Sequence, residues 1–131
     1  MKRVLAVISM AALVMCFSGC SSMEVAKKTN GVGMTANGYT PAMAHLTYTN
    51  YGFYFLNWIP VLTGSVSNPD AFALFTDTVN TETAVLETTR VAINLGGSKV
   101  INLSTSTKSE YNVLSLFFWT REVQVSATVL E

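Results

Sequence analysis

The run Arg121-Glu122-Val123-Gln124-Val125-Ser126-Ala127-Thr128-Val129 alternates strictly. Val123, Val125, Ala127 and Val129 fall on one side; Glu122, Gln124, Ser126 and Thr128 fall on the other. A period of two with a single apolar side predicts a half-buried antiparallel strand. Such a strand needs a sheet around it and a second layer over its apolar face. Working outward, Val113 to Trp119 reads as a strongly apolar strand. Residues 113–131 are long for one strand, so a bend is expected between Trp119 and Arg121. Before it, Lys99 to Thr107 carries Val100, Ile101 and Leu103 and reads as another strand, with Lys108 to Asn112 as a polar turn.

The covering layer is a predicted helix from about Asn80 to Leu95. Ala84, Leu86, Val91, Ala92 and Leu95 fit an apolar stripe near the helical period. Glu82 and Glu87 stand early and Arg90 later, which suits the helix dipole. Gly96-Gly97 supplies a left-handed C-cap. Upstream, residues 43–50 read as one strand, Gly52 as a turn or bulge, and Phe53 to Thr63 as a second strand. Pro60 there marks an edge, a bulge or an end, because it donates no ladder hydrogen bond. Asn68-Pro69-Asp70 combines a capping side chain, a proline at the first helical position and an acid, which opens a short helix through Phe75. The expected architecture is α+β. An antiparallel or mixed sheet of about four strands carries one main helix, plus the short one, on one face. A closed outer-membrane barrel does not fit, since it needs at least about eight strands and leaves a helix no place.

The beginning of the chain is an address. Lys2 and Arg3 precede an apolar run from Val4 to Phe17, interrupted by Ser9. This is the layout of a secretory signal peptide, too short to span a bilayer, which takes about 20 residues. Phe17-Ser18-Gly19-Cys20 resembles a bacterial lipobox, with Phe17 in place of the usual Leu. The resemblance implies cleavage before Cys20 and diacylglyceryl transfer to its thiol. Ser21, rather than Asp, follows; in enterobacterial sorting that implies the outer membrane, with the domain facing the periplasm. The expected organisation is a leader over 1–19, a lipidated Cys20 with a Gly- and Ser-containing tether over 20–41, and one domain over 42–131. The alternative for the tether is an irregular strand laid along the domain. Cys16 leaves with the leader, so the mature chain forms no internal disulfide.

The full chain has 131 residues, a formal net charge of zero, 50% apolar residues and 12% charged residues. That composition excludes a disordered tail and lacks the basic face of a nucleic-acid binder. Lys2 and Arg3 belong to the leader, so the remainder is mildly acidic. Its charges are uneven: Thr29 to Pro69 contains no Asp, Glu, Lys or Arg.

Acid–base or nucleophilic catalysis needs converging titratable groups. His45 has no companion at metal-ligand spacing and reads as a sheet residue. Asp70 and Asp77 are two helical turns apart and read as surface carboxylates. Asn94-Leu95-Gly96-Gly97-Ser98 follows a helix, whereas phosphate cradles precede one. No enzyme, metal or cofactor is expected. The uncharged segment instead holds a dense aromatic group, and Tyr51, Tyr54, Trp58 and Trp119 are the candidate contact surface. Core packing, a protein or ligand contact, and contact with lipid are the three roles open to it. Phe117-Phe118-Trp119 must present both faces of a strand, so one of these rings is covered by something other than the main core.

Gly96-Gly97, Lys99-Val100-Ile101, Asn112-Val113-Leu114 and Thr120 to Val123 resemble the C-terminal half of the small bacterial lipoproteins called TRL-like. The family's central Gly-Asp-Ala-Ser stretch has no counterpart here. The resemblance implies an envelope lipoprotein with an α+β domain and no catalytic residues. The expected function is a non-enzymatic, membrane-anchored lipoprotein that binds another envelope component or assembles with itself. The alternative is a small-molecule binding or sensing domain, with a pocket between helix and sheet near Trp58 and Trp119.

Overall fold

A computed structural model describes residues 21–29, 32–33, 35–36, 40–66, 71–111 and 117–131. The leader, Cys20, Asn68-Pro69-Asp70 and Asn112-Val113-Leu114 lie outside the described residues. In chain order the elements are β1 (Ser21–Ala26), β2 (Lys28–Thr29), β3 (Val32–Gly33), β4 (Thr35–Ala36), β5 (Thr40–Phe55), β6 (Ile59–Gly64), β7 (Phe72–Leu74), α1 (Thr81–Asn94), β8 (Lys99–Tyr111) and β9 (Phe118–Leu130). The fold is α+β: a helix on one face of an antiparallel sheet ordered β7-β6-β5-β9-β8. β5 is the spine. β9 pairs along one of its edges, from Ala42↔Leu130 to Phe55↔Phe118. β1 and β6 share the other edge end to end, β1 on residues 45–50 and β6 on residues 52–55.

The sheet has six strands rather than about four, and the two-residue β4 adds to it beside Thr40 and Pro41. Both extra full members arise where other structure was expected. β1 lies in the stretch read as a tether, for which a strand laid along the domain is the alternative. It joins because its alternation places Ser21 and Met23 toward the core, where Met23 packs between both core clusters. β7 replaces the expected short helix up to Phe75. Phe72 and Leu74, two apart, pair with Gly64 and Leu62, so the local period is that of a strand.

Three boundaries also move. Gly52 is no turn: β5 runs through it. A Cβ there would come within 2.8 Å of both Thr63 Cγ2 and Val79 Cγ2, so the glycine lets the segment before the helix lie on the strand. The irregularity falls instead between Phe53 and Tyr54, opposite the Pro60 region. β8 continues to Tyr111 through the expected turn at 108–111, with a bulge at Asn102 and Leu103. β9 shows no break at 119–121.

Both ends of α1 follow from the sequence. Asn80 is the N-cap and accepts from the Thr83 N–H at 2.8 Å. At the other end Gly96 has φ +87°, and the Gly96 and Gly97 amides bond to the Ile93 and Ala92 carbonyls. That is a Schellman cap. Gly97 also lies so close to β9 that a Cβ would sit 2.1 Å from Val129 Cγ1. The packed stripe is Ala84, Thr88 and Ala92. Leu86, expected in it, is 62% exposed on the outer side. Thr88 takes the buried place because its hydroxyl donates to the Ala84 carbonyl at 2.8 Å, which satisfies it within the helix. Small residues on this stripe let the helix approach the valines of β9.

The core lies under the helix in two clusters. One joins Tyr48, Tyr54, Val79, Ala84, Val123 and Val125; the other joins Ala44, Leu46, Ala92 and Val129. The four alternating residues of the opening stretch, Val123, Val125, Ala127 and Val129, are all fully buried.

Candidate functional site

Reach decides what remains outside. The 14-residue helix is about 21 Å long. The 16 residues of β5 extend over about 54 Å. With the residues before the helix the cover reaches Tyr54, which is fully buried, so what stands outside is the turn beyond β5 and the sheet face away from the helix.

The turn beyond β5 is tight. Trp58 N donates to the Phe55 carbonyl at 3.2 Å, and Leu56 and Asn57 both have positive φ, 50° and 66°. This is the geometry of a type I′ hairpin turn, which favours Asn-Gly or Gly-Gly. Here the first position is Leu. A bulky side chain in the left-handed region costs about 1–2 kcal/mol, and Leu56 exposes that side chain. Phe75, just past β7, repeats the pattern: φ 55° and 73% exposed. Strained residues persist where the surroundings over-determine them, and they gather at functional surfaces.

The turn is held from behind. Arg121 on β9 donates from Nη2 to the Asn57 carbonyl and from Nε to Asn57 Oδ1, the latter at 3.2 Å. Ser109 donates to the same Oδ1 at 3.2 Å. The Arg121 guanidinium lies 4.5 Å from the centre of the Tyr54 ring, and the Tyr54 hydroxyl donates to Asp77 Oδ1 at 2.6 Å. Burial, then the bond to Asp77, push the Tyr54 phenol well above the ordinary range. It therefore remains a donor at physiological pH. A second set of bonds ties down the strip beside it: Thr63 donates to the Thr76 carbonyl, Thr78 to the Gly64 carbonyl, and Asn50 Nδ2 to the Thr78 carbonyl. The polar residues here point inward and fix an apolar exterior.

That exterior combines Leu56, Trp58 and Ile59 at the turn, Phe72, Leu74 and Phe75 at β7, and Phe117. Trp58 is 83% exposed. The pieces adjoin: Leu56 N bonds to the Phe117 carbonyl, Leu62 pairs with Leu74, and the Phe55 ring contacts those of Phe117 and Phe118 at 6.0 and 5.7 Å.

The four aromatic residues singled out from sequence separate. Trp58 stands at the tip of this surface. Tyr51 is 38% exposed on the sheet face away from the helix. Tyr54 is fully buried, because its even position in β5 turns it toward the helix. Trp119 pairs with Tyr54 across the ladder, packs on the core and meets the Tyr111 ring edge-on at 5.3 Å. Tyr54 is thus closed off from solvent, and Trp119 is half-buried. Of the Phe117-Phe118-Trp119 run, Phe118 is the ring covered away from the main core, by Phe55. Sequence reading passed over Leu56, Ile59, Phe72, Leu74 and Phe75. The Leu-Asn pair amid aromatics and the Phe-Ala-Leu alternation were the available signals.

His45 lies on the open face with Nδ1 3.3 Å from Thr128 Oγ1. Among the described residues no three His, Cys, Asp or Glu side chains gather as metal ligands. No described helix is long and apolar enough to cross a membrane. A concavity of about 370 Å³ opens beside the turn, lined by Asn57, Val79, Thr107, Lys108, Ser109, Arg121 and Glu122. Neither tryptophan lines it, unlike the expected pocket. Family models, curated proteins and solved structures were all compared with the chain, and none matches it.

Proposed function

We propose that the chain is a non-enzymatic lipoprotein of the bacterial envelope, anchored through Cys20, whose domain works by surface contact rather than by chemistry. One observation carries the contact reading. The β5–β6 turn and β7 hold large apolar side chains in solvent, two of them at positive φ, over a polar lattice that fixes their place. Contiguous apolar surface of this kind marks recognition or membrane contact. The lipobox resemblance at Phe17 to Cys20 supports the anchor and an outer-membrane, periplasm-facing location. Mass spectrometry of membrane-fraction protein tests the anchor: an acylated Cys20 N-terminus is expected, and a free N-terminus at Ser18 or Ser21 overturns it. Acrylamide quenching of Trp58 fluorescence tests the contact. Protection in envelope fractions relative to purified, detergent-free protein is expected, and equal quenching in both overturns it.

A second reading, a binding pocket, rests on the 370 Å³ concavity with Arg121 and Lys108 at its wall. Its volume falls within the range of small-ligand sites, about 300–1,000 Å³. Small carboxylates should then raise the melting temperature of the wild type and not of Arg121→Met. No shift with any of them removes this reading.

A further inference from the structure

We infer that the occupant of the apolar surface is the lipid interface of the membrane itself, so that the hairpin turn and β7 set the orientation of the anchored domain. This rests on the anchor reading and specifies its partner.

Three observations converge on lipid. The first is where the chain outside the structure ends. Cys20 is joined directly to Ser21, about 3.8 Å between Cα atoms. Ser21 is no part of a loose tether: it is 2% exposed and paired with Asn50 at the start of β1. Its hydroxyl donates to the Ser65 carbonyl at 2.6 Å, and the Ser65 N–H donates to the Ala71 carbonyl at 2.9 Å. Phe72 is the next residue. The attachment point of the lipid and the edge of the apolar surface are thus separated by two hydrogen bonds across one sheet edge. An acyl group on Cys20 brings that edge to the bilayer.

The second observation is chemical. Between Thr40 and Val66, and from Ala71 to Thr76, the described chain carries no Asp, Glu, Lys or Arg, and His45 is its one imidazole. Glu24 and Lys27 lie on and just past β1, Glu82, Glu87 and Arg90 on the helix, Lys99, Lys108 and Glu110 on β8, and Arg121 and Glu122 on β9; Asp77 is exposed two residues past Phe75 and accepts from the Tyr54 hydroxyl. Arg121, the cation nearest the turn, is committed to Asn57 and Tyr54. The seven apolar side chains of this surface carry no charge themselves, and Asp77 stands at its edge.

The third observation separates lipid from protein. Protein interfaces carry about one hydrogen bond per 100–200 Å² and favour Arg in their cores. The apolar side chains here offer one polar group, the Trp58 indole N–H, and the neighbouring exposed Thr76 hydroxyl is turned back to the Leu74 carbonyl. A tryptophan with an apolar body and one polar edge suits the headgroup boundary. A lipid surface takes Leu56, Ile59 and Phe75 without directional partners, to a depth of about 5–10 Å.

The test uses the acylated full-length chain with Trp119→Phe, which leaves Trp58 as the sole tryptophan. It is reconstituted in vesicles of phosphatidylethanolamine and phosphatidylglycerol with brominated acyl chains. Trp58 emission is expected to fall by half or more relative to unbrominated vesicles. In the same background Phe72→Ser and Leu74→Ser should weaken that quenching at an unchanged melting temperature. Unquenched Trp58 in a chain shown to carry acylated Cys20 overturns the inference and leaves the anchor standing. So does protection of Trp58 from acrylamide with no bromine quenching, when a photo-crosslinker at position 58 captures a second copy or a protein. Quenching by a chain whose Cys20 is unmodified supports the lipid contact and overturns the anchor. Absence of both quenching and acylation overturns both.

Discussion

The two ends of β5 make opposite use of apolar residues. Under the helix, Ala44, Leu46 and Tyr48 are closed into the core by Ala84, Ala92 and the valines of β9. At the far end, larger groups such as Leu56 and Trp58 stand in solvent, although bonds to Arg121, Ser109 and Phe117 hold the turn no less firmly. Hydrophobicity and size therefore do not separate core from surface here. Position does: the buried residues face the helix, while the exposed ones sit in the turn beyond Tyr54 or on the opposite face of the sheet. Order and burial are also distinct: the distal end is fixed by polar bonds from within, the proximal end by packing.

The sharpest test of this contrast lies at the covered end. Leu46→Ala should cost about 2–5 kcal/mol, read from denaturant unfolding, because the site is fully buried and cannot collapse without moving the helix. A cost near zero would mean that the helix does not cover this half. Alkaline titration comes next. Burial, with the Glu87 carboxylate nearby, pushes the Tyr48 phenol from about 10.0 up to about 12. The unfolded chain then loses that proton first. Stability should be intact below about pH 10 and fall by up to about 2 kcal/mol between about pH 10 and pH 12. Tyr54, raised by burial and by Asp77, adds a loss of its own, so Tyr48→Phe should shrink the fall by the Tyr48 share and leave that of Tyr54; an unchanged fall would show that Tyr48 lies outside the core.

Smaller effects are expected at the distal end, and in the opposite direction. Leu56→Gly or Phe75→Gly should raise stability by up to about 1 kcal/mol, because glycine takes positive φ without penalty. Destabilisation would show that these side chains hold the fold. Smallest of all, Trp58→Ala should change stability by no more than about 0.5 kcal/mol, as expected of an exposed residue. A loss comparable to that of Leu46→Ala would erase the contrast.

Strict periodicity and end signals made part of this fold legible. The alternation from Glu122 to Val129, the helix start near Asn80 and the Gly96-Gly97 stop each appear where the residues require them. Elements fixed by tertiary pairing were not legible. Local residues leave Ser21 to Ala26 open between tether and strand, and the stretch of edge beside residues 45–50 is what decides for the strand. Gly52 carries a turn signal locally, and only the approach of Val79 explains it. For the candidate surface, composition located the uncharged segment and Trp58. It did not distinguish Tyr54 from Tyr51, because the parity that turns Tyr54 inward follows from the pairing with β9, which residue type does not encode.

The pairing of β5 with β9 also governs time. It sets Ala42 opposite Leu130 and Phe55 opposite Phe118, so the sheet's longest seam joins strands far apart in the chain. Closing so long a loop is entropically costly before any contact rewards it, and such topologies fold in milliseconds to seconds rather than microseconds. A chain emerging N-terminus first cannot complete its spine until the last thirteen-residue strand is available. Until then the edge of β5 that takes β9 stays open.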